Sequence, residues 1–510
     1  MNLTTGKWIP VIWADGRYDK ISLIDVFEQG SQITDLVVRP HERISLMRLL
    51  ICIAQAALDG PEDYDAWKSC LPKIAPAATA YLDIWKDHFE LFGTGPRFLQ
   101  TLEITSGKKS EDDVNSPSKL DMALATGNNS TIFDNEGSVE RVFDPPFLAL
   151  GLLTYQCFSP GGLIGSVKWR NEERGGSSKN APCITKGMLH SYIRKGDLLS
   201  TIHANILSRE AIDIVGHKWG RPLWEAMPNA PSESGQIENA TRTYLGRLVA
   251  ISRLILLDRS GQGMLLGTGL EYEPEWREVA GTTTTRHREG KEEVIPLGGS
   301  PDKAIWRMAH SLAVVRKTSS NMAHGPVALA QADLEQPIEL WSGALIADKS
   351  KLIDAIESVL TLPPAMFADQ GQGIYRDGVA FSEAWGRKLS RGIAIYHRHL
   401  KDDLERKEFR KRGNLVKQKA STHFWSSVEQ CVPDLLAVTV APQELYPVGA
   451  TEPVWPATPW GQALARHARE AYDLACPRET PRQIQAYVEG LKALFESRSD
   501  PPSTQESFHE

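Results

Sequence analysis

From residue 367 to residue 495 the apolar residues recur at helical spacing, and this constrains the fold more than any other feature of the chain. Phe381, Ala384, Trp385 and Leu389 follow one helical period; Ile393, Tyr396, Leu400 and Leu404 follow another. A third helix is predicted from Ala420 through Phe424, Val428 and Leu435. Thr458-Pro459 supplies an N-cap followed by proline at the first helical position, opening a fourth helix with Trp460, Leu464, His467 and Ala471 inward. Thr480-Pro481 opens a last one with Ile484, Val488, Leu491 and Phe495 on its apolar face. Amphipathic helices in series bury their stripes against one another, so a helical bundle is expected here.

At 510 residues the chain is too long for one ordinary core. The expected class is α+β: a large mixed α/β domain over residues 1–366, a four-helix bundle over 367–499 and a polar, disordered tail over 500–510. Within the first domain, residues 7–11 read as a strand, 22–27 as the start of a short helix, and 44–57, 79–92 and 147–155 as helices. Residues 186–207 read as mixed strand and loop, 271–296 as a β-hairpin with a mobile tip, and 301–314 as helical. Residues 338–346 read as a strand, closed by a tight turn over 347–350.

Residues 159–169 (SPGGLIGSVKW) read as a loop, followed by a polar loop over 170–180. Gly161, Gly162 and Gly165 permit positive φ or close backbone approach, and Lys168 adds a cation beside exposed amides. Such a loop suits phosphate oxygens or a nucleic-acid groove, but taken alone the stretch reads first as a tight turn between packed segments. GxGxxG and GxxxxGK[ST] are both absent, so dinucleotide and P-loop chemistry are not indicated.

The net charge of −7 argues against a polyanion partner, but its distribution argues for one. Between residues 387 and 419 twelve Lys/Arg stand against four acids, a local excess of eight. A phosphate-binding stripe fits that excess, and a solvated helix face fits the interspersed acids. Arg410, Lys411, Arg412 and Lys417 are the candidate phosphate contacts. The six cysteines are scattered without a CxxC pair, which argues against a zinc knuckle or a disulfide framework. The N-terminus lacks a signal-peptide pattern and the apolar runs are too short to span a bilayer, so the expected location is cytoplasmic, with no membrane partner. His397-Arg-His399 cannot chelate one ion from a helix, and HExxH and GxSxG are absent, so an enzyme is not expected.

Several segments, in order along the chain, resemble one family. They are the opening Met1-Asn-Leu-x4-Trp-Ile-Pro-Val11, Leu50-Ile-Cys-Ile-Ala-Gln55, Ile132-Phe-Asp-Asn135, the glycine stretch, Gln336-Pro-Ile-Glu-Leu340 and His423-Phe-Trp425 with Pro433-Asp-Leu-Leu436. The family is CasA, the large subunit of the type I-E CRISPR surveillance complex Cascade. The resemblance implies a non-catalytic protein that senses the protospacer-adjacent motif in double-stranded DNA, largely from the minor groove. It further implies help in opening the duplex for guide pairing and recruitment of a helicase-nuclease. Its partners would be other Cascade subunits, a guide CRISPR RNA and target DNA, with no cofactor.

Carried over by position, Gly161, Gly162 and Gly165 form the glycine loop, with Lys168 beside it. Ile132, Phe133, Asp134 and Asn135 lie in the loop near the 5′ end of the guide, and Asp348, Lys349 and Ser350 form the wedge. Arg277 and Arg286 are candidates for the family's minor-groove lysine. Two departures stand out. Lys349 occupies the position nearest the glutamine that some members place at the wedge. The loops that carry zinc-binding cysteine pairs in some members hold Asp144-Pro-Pro146 and Gly261-Gln-Gly263 here, so no metal is expected. The rival readings are a metal-dependent nuclease assembled by the fold and a purely structural assembly subunit.

Overall fold

The computed structural model describes residues 1–107, 114–124, 142–288, 290–316, 322–348, 350–400, 406–448, 450 and 452–496. The chain divides into two compact units, the first ending at Pro364 and the second starting at Ala365.

The first unit opens with β1 (Ile9–Trp13), β2 (Tyr18–Ile21) and β3 (Ile33–Leu36), an antiparallel sheet of order β2-β1-β3. Between β2 and β3 runs α1 (Leu23–Glu28), started by a capping box in which Ser22 and Asp25 satisfy each other's backbone amides. The central element is α2 (Pro40–Leu58), buried on nearly every face from Ile44 to Gln55. The two long polar side chains within that buried stretch are paired. Arg48 donates to Glu278 and to the carbonyls of Arg247 and Leu248, and Gln55 donates to the Leu207 carbonyl. Against it pack α4 (Leu71–Trp85), which α3 (Tyr64–Ser69) precedes and touches, and, beyond β4 (Ile104–Ser106), α5 (Pro145–Phe158). The helix expected over 79–92 ends at Trp85 and continues only as a 3-10 turn to Phe89.

The stretch expected as two loops is a hairpin. β5 (Gly162–Trp169) and β6 (Glu172–Ser178) pair with each other, and β4 pairs with the other edge of β5. Four glycines on these strands hide the alternation a strand normally shows; pairing on both edges of β5 and packing on a later strand replace it. Further on come β7 (His190–Arg194), α6 (Leu198–Asn205), α7 (Arg209–Ile214), α8 (Ser234–Arg242) and α9 (Tyr244–Leu248). Residues 186–207 are thus half helical, because Asp197 caps α6 and Leu198 and Ile202 bury one face. β8 (Arg253–Leu257) with β9 (Met264–Thr268), and β10 (Thr283–Arg288) with β11 (Lys291–Pro296), are two further hairpins. The helix expected over 301–314 is a 3-10 turn, Ile305–Met308, followed by the single turn α10 (Ala309–Leu312). The unit closes with the long hairpin β12 (Ile338–Asp348) and β13 (Lys351–Leu362), whose β12 edge carries β7.

The second unit is helical: α11 (Asp369–Leu400), α12 (Arg406–Glu429), the shorter α13 (Val432–Val440), α14 (Pro459–Ala475) and α15 (Pro481–Phe495). The first helical period of the sequence and the second as far as Leu400 are one continuous 32-residue helix, α11; Leu404 lies outside the described residues. Thr458 and Thr480 cap α14 and α15 as expected, with proline at the first helical position of each. The inward face of α15 is not the expected one. Ala486, Tyr487, Gly490, Ala493 and Leu494 are buried, while Ile484, Val488 and Phe495 stay 49%, 42% and 45% exposed. Gly392 of α11 and Gly490 approach so closely that a Cβ on either would lie 2.6–2.9 Å from the other's carbonyl oxygen. Small residues let the helices touch backbone to backbone, and that contact outcompetes the larger stripe.

Candidate nucleic-acid interface

The open end of one hairpin lies beside the turn of another in the first unit. Gly162, where β5 starts, turns its open side toward Ser350, the turn residue between β12 and β13. A Cβ built on Gly162 would sit 3.5 Å from the Ser350 Cβ and 3.7 Å from its Oγ. The φ of Gly162 is +153°, a value L side chains rarely adopt, so the conformation favours glycine; a Cβ there would make only ordinary contact with Ser350. Each hairpin carries a register shift near this junction, between Ile164 and Val167 on β5 and between Ile346 and Ala347 on β12. Bulges bend a strand and re-aim the residues beyond them, which suits the start of β5 and the turn of β12–β13 being directed at one place.

Gly161 is fixed from behind. Its amide donates to Asn180 Oδ1 at 2.6 Å, and a Cβ there would fall 2.9 Å from the Ser178 carbonyl oxygen. Ser178 Oγ in turn donates to the Gly162 carbonyl at 3.2 Å.

Beneath the hairpin lies Arg253, 2% exposed. Its guanidinium donates to the carbonyls of Pro160 (2.8 Å), Lys179 (3.1 Å), Ser159 (3.4 Å) and Ser252 (2.7 Å). Pro160 precedes β5 and Lys179 follows β6, so one buried cation ties both legs of the hairpin together. Burial pushes this guanidinium below its ordinary pKa, partly offset by the Tyr155 hydroxyl. Gln156, Ser159 and Ser252 complete the network, with Gln156 Oε1 accepting from the Arg253 amide and Ser252 Oγ donating to the Gln156 carbonyl.

A third hairpin, β10–β11, is rooted beside the same strands. The Leu189 amide donates to Leu297, Thr282 to Leu189, and Gly299 to Gly187. Gly187 lies against Ile346 of β12, and Gly299 against Ile356 of β13. The outer part of β10–β11 is charged and exposed. Arg286 pairs with Glu293 at 2.9 Å across the strands, and His287 stands 3.5 Å from Glu292. At its base His324 accepts from Arg316 at 2.9 Å and donates to the Gly325 carbonyl at 2.7 Å. Burial and the neighbouring Arg316 and Arg277 hold that imidazole down at about 4.

Of the residues singled out in the sequence, the structure brings together Gly161, Gly162 and Ser350, with Asp348 exposed at the end of β12. Gly165 faces inward: a Cβ there would lie 3.2 Å from the Leu266 carbonyl oxygen of β9. Lys168 is exposed but six residues up an extended strand from Gly162, about 20 Å away, beside Thr105 and Glu173. It is therefore not beside the amides of the glycine turn. Arg277 and Arg286 belong to the third hairpin and the segment leading to it. Ile132, Phe133, Asp134, Asn135 and Lys349 lie outside the described residues.

In the second unit the basic stripe is divided between the end of α11 and α12, with residues 401–405 outside the described residues. Lys411 and Arg412 are exposed and Lys417 is half-buried on α12. Arg410 is on the same helix, its side chain outside the described set. His397 is buried and His399 exposed, so the two rings occupy different environments.

Sequence reasoning missed Arg253, Asn180 and Leu163. Arg253 had a signal, a lone cation inside an apolar run, since a buried guanidinium must find acceptors. Leu163 is 94% exposed immediately beside the junction.

The family model of CRISPR-associated protein Cse1 matches residues 2–471. The CasA/Cse1 protein of Thermus thermophilus is 25% identical over 411 residues, covering 76% of each chain. The solved structure of Thermus thermophilus CasA is similar with a TM-score of 0.72 at 20% identity, covering 97% of this chain and 98% of that one. A chain of a structure described as a CRISPR RNA-guided surveillance complex is similar at TM-score 0.71 and 17% identity, covering 97% and 99%. The fold is the one these structures share, and the chain belongs to the CRISPR-associated protein Cse1 family.

Proposed function

We propose that this protein is the non-catalytic large subunit of a type I-E CRISPR RNA-guided surveillance complex. In this reading it meets duplex DNA at the junction of β5–β6 with β12–β13, senses the protospacer-adjacent motif and helps open the duplex for guide pairing. Its other partners are the guide CRISPR RNA, further Cascade subunits and the helicase-nuclease that it recruits. The observation that carries the reading is the approach of Ser350 to the open side of Gly162, a Cβ built there lying 3.5 Å from that of Ser350, which puts the start of the glycine hairpin beside the turn of the wedge hairpin.

The physical chemistry supports it. The minor groove separates A·T from G·C pairs poorly, so a backbone ridge with few base-specific groups matches a permissive motif. Sequence is read by pairing to the guide, as in the single-protein effectors, so the protein itself has only the short motif to read. Among the described residues no cluster of three His, Cys, Asp or Glu is placed to hold a metal ion, and no helix is long and apolar enough to cross a membrane.

An aspartate at position 162 would be strained at that φ and would direct its carboxylate at Ser350, parting the start of β5 from the turn of β12–β13. The test is a gel shift of the assembled complex, wild type and Gly162→Asp, on a library randomised at the motif. The expected result is motif selectivity in the wild type and its loss in the variant, with the subunit still incorporated. Unchanged selectivity would leave only a structural assembly role, and metal-dependent cleavage by the isolated protein would replace the reading with a nuclease.

A further inference from the structure

We infer, resting on the proposed encounter with duplex DNA, that Leu163 is the side chain that enters the base stack beside the motif. Single exposed leucines are common on protein surfaces and need no explanation in themselves. Four features set this one apart. Its position is the first: it is the residue after Gly162, whose open side is already taken by Ser350. Side chains alternate along a strand, so Leu163 projects from the opposite face, away from that contact and into solvent.

The second is its surroundings. Across the strands Leu163 faces Ser177, and Ile164 faces Gly176, which is itself at φ +86°. With Gly161 and Gly162 before it and Gly175 and Gly176 opposite, no large side chain of its own hairpin shields it. The result is one apolar knob on a slim, glycine-rich ribbon, a shape that can approach a groove closely.

The third is rigidity. Arg253 ties the carbonyls of Pro160 and Lys179, and Asn180 Oδ1 holds the Gly161 amide, so the knob stands on a fixed base. The fourth is chemistry. Asp348 and Ser350 at the adjoining tip are polar, whereas the side chains that part a base step in kinked duplexes are apolar: Phe, Leu, Ile, Met or Pro. Leu163 supplies that apolar surface, and the neighbouring tip supplies polar contacts.

The test uses the complete complex with its guide RNA, carrying Leu163→Ser, Leu163→Met or Gly162→Asp. Affinity is measured on a fully paired target and on one of the same sequence pre-opened beside the motif. A 2-aminopurine next to the motif reports unstacking. Leu163→Ser is expected to weaken binding to the paired target about tenfold, part of the few kcal/mol an unstacked step costs, and to abolish the fluorescence rise. It should leave the pre-opened target within about twofold, while Leu163→Met retains wild-type behaviour, methionine belonging to the same set of apolar wedges. Equal losses on both targets, or none, would overturn the assignment. So would failure of the Leu163→Ser subunit to enter the complex, which would mean that the leucine packs on another protein. If Gly162→Asp also leaves paired-target binding intact, the proposed DNA interface itself has failed; if Gly162→Asp weakens it and Leu163→Ser does not, only the wedge assignment has.

Discussion

Arg253 shows how much one residue can organise. A buried guanidinium with four carbonyl acceptors cannot be removed without leaving acceptors unpaired in the core, at about 1–3 kcal/mol each. Arg253→Met is therefore expected to lower stability by about 3 kcal/mol or more, and Arg253→Lys by less, because an ammonium still reaches one or two carbonyls. Urea unfolding of the two variants measures this; near-equal, small losses would mean that Arg253 does not hold the hairpin. Buried histidines set a second residue-scale expectation. Burial, aided by Arg39, holds His41 at about 3; burial, aided by Arg48, holds His190 at about 4; His324 is also at about 4. Each is neutral when folded, so its contribution is complete above the unfolded value near 6.5 and is lost as pH falls toward the folded value. The loss is up to about 1.4 kcal/mol per pH unit for each. Burial opposes the charge of Glu278, but Arg48 and Arg247 outweigh it and hold the carboxyl at about 2, so it stays ionised through this range. Unfolding at pH 7, 6 and 5 should show falling stability, and His41→Leu should flatten the slope; a level profile would contradict the assignment.

Helices were legible in the sequence where a capping residue met a clear apolar period, as at Ser22, Thr458 and Thr480, but not at α6, whose cap Asp197 stands in a stretch that reads as mixed strand and loop. The orientation of α15 was not, because the residues that decide it are the smallest. Periodicity weights Ile484, Val488 and Phe495, while the Gly392–Gly490 approach is chosen by the partner helix, which no local pattern reports. Gly490→Leu is expected to cost more than about 3 kcal/mol, since its Cβ would meet the Tyr472 hydroxyl at 2.1 Å. Ile484→Gln with Val488→Gln should change stability by under about 1 kcal/mol. The reverse order of effects in thermal melts would restore the large stripe to the core. The same blindness hid β5 and β6, whose glycines read as a loop until β4 and β9 are placed beside them. On α12, replacing Arg410, Lys411 and Arg412 together with alanine should weaken target binding alike for every motif. The salt slope should fall by up to ~0.9 for each phosphate no longer neutralised, and an unchanged slope would make the stripe a solvated face.

At the scale of the molecule, the sequence separated a mixed unit from a helical one, and the contacts divide the chain after Pro364. It did not reveal that residues 162 and 350, 188 positions apart, would touch, because two hairpins and the sheets behind them intervene. That contact turns a glycine stretch and a turn, each ordinary alone, into one candidate surface. It also reassigns the glycine: Gly162 faces its own chain, and Leu163 faces outward. The central claim is that this surface opens duplex DNA rather than merely holding it. The most direct measurement is the affinity of the assembled complex carrying Leu163→Ser for a fully paired target against the same target pre-opened beside the motif. Preferential loss on the paired target, about tenfold or more against little change on the pre-opened one, is the expected result. Equal loss on both would contradict the claim.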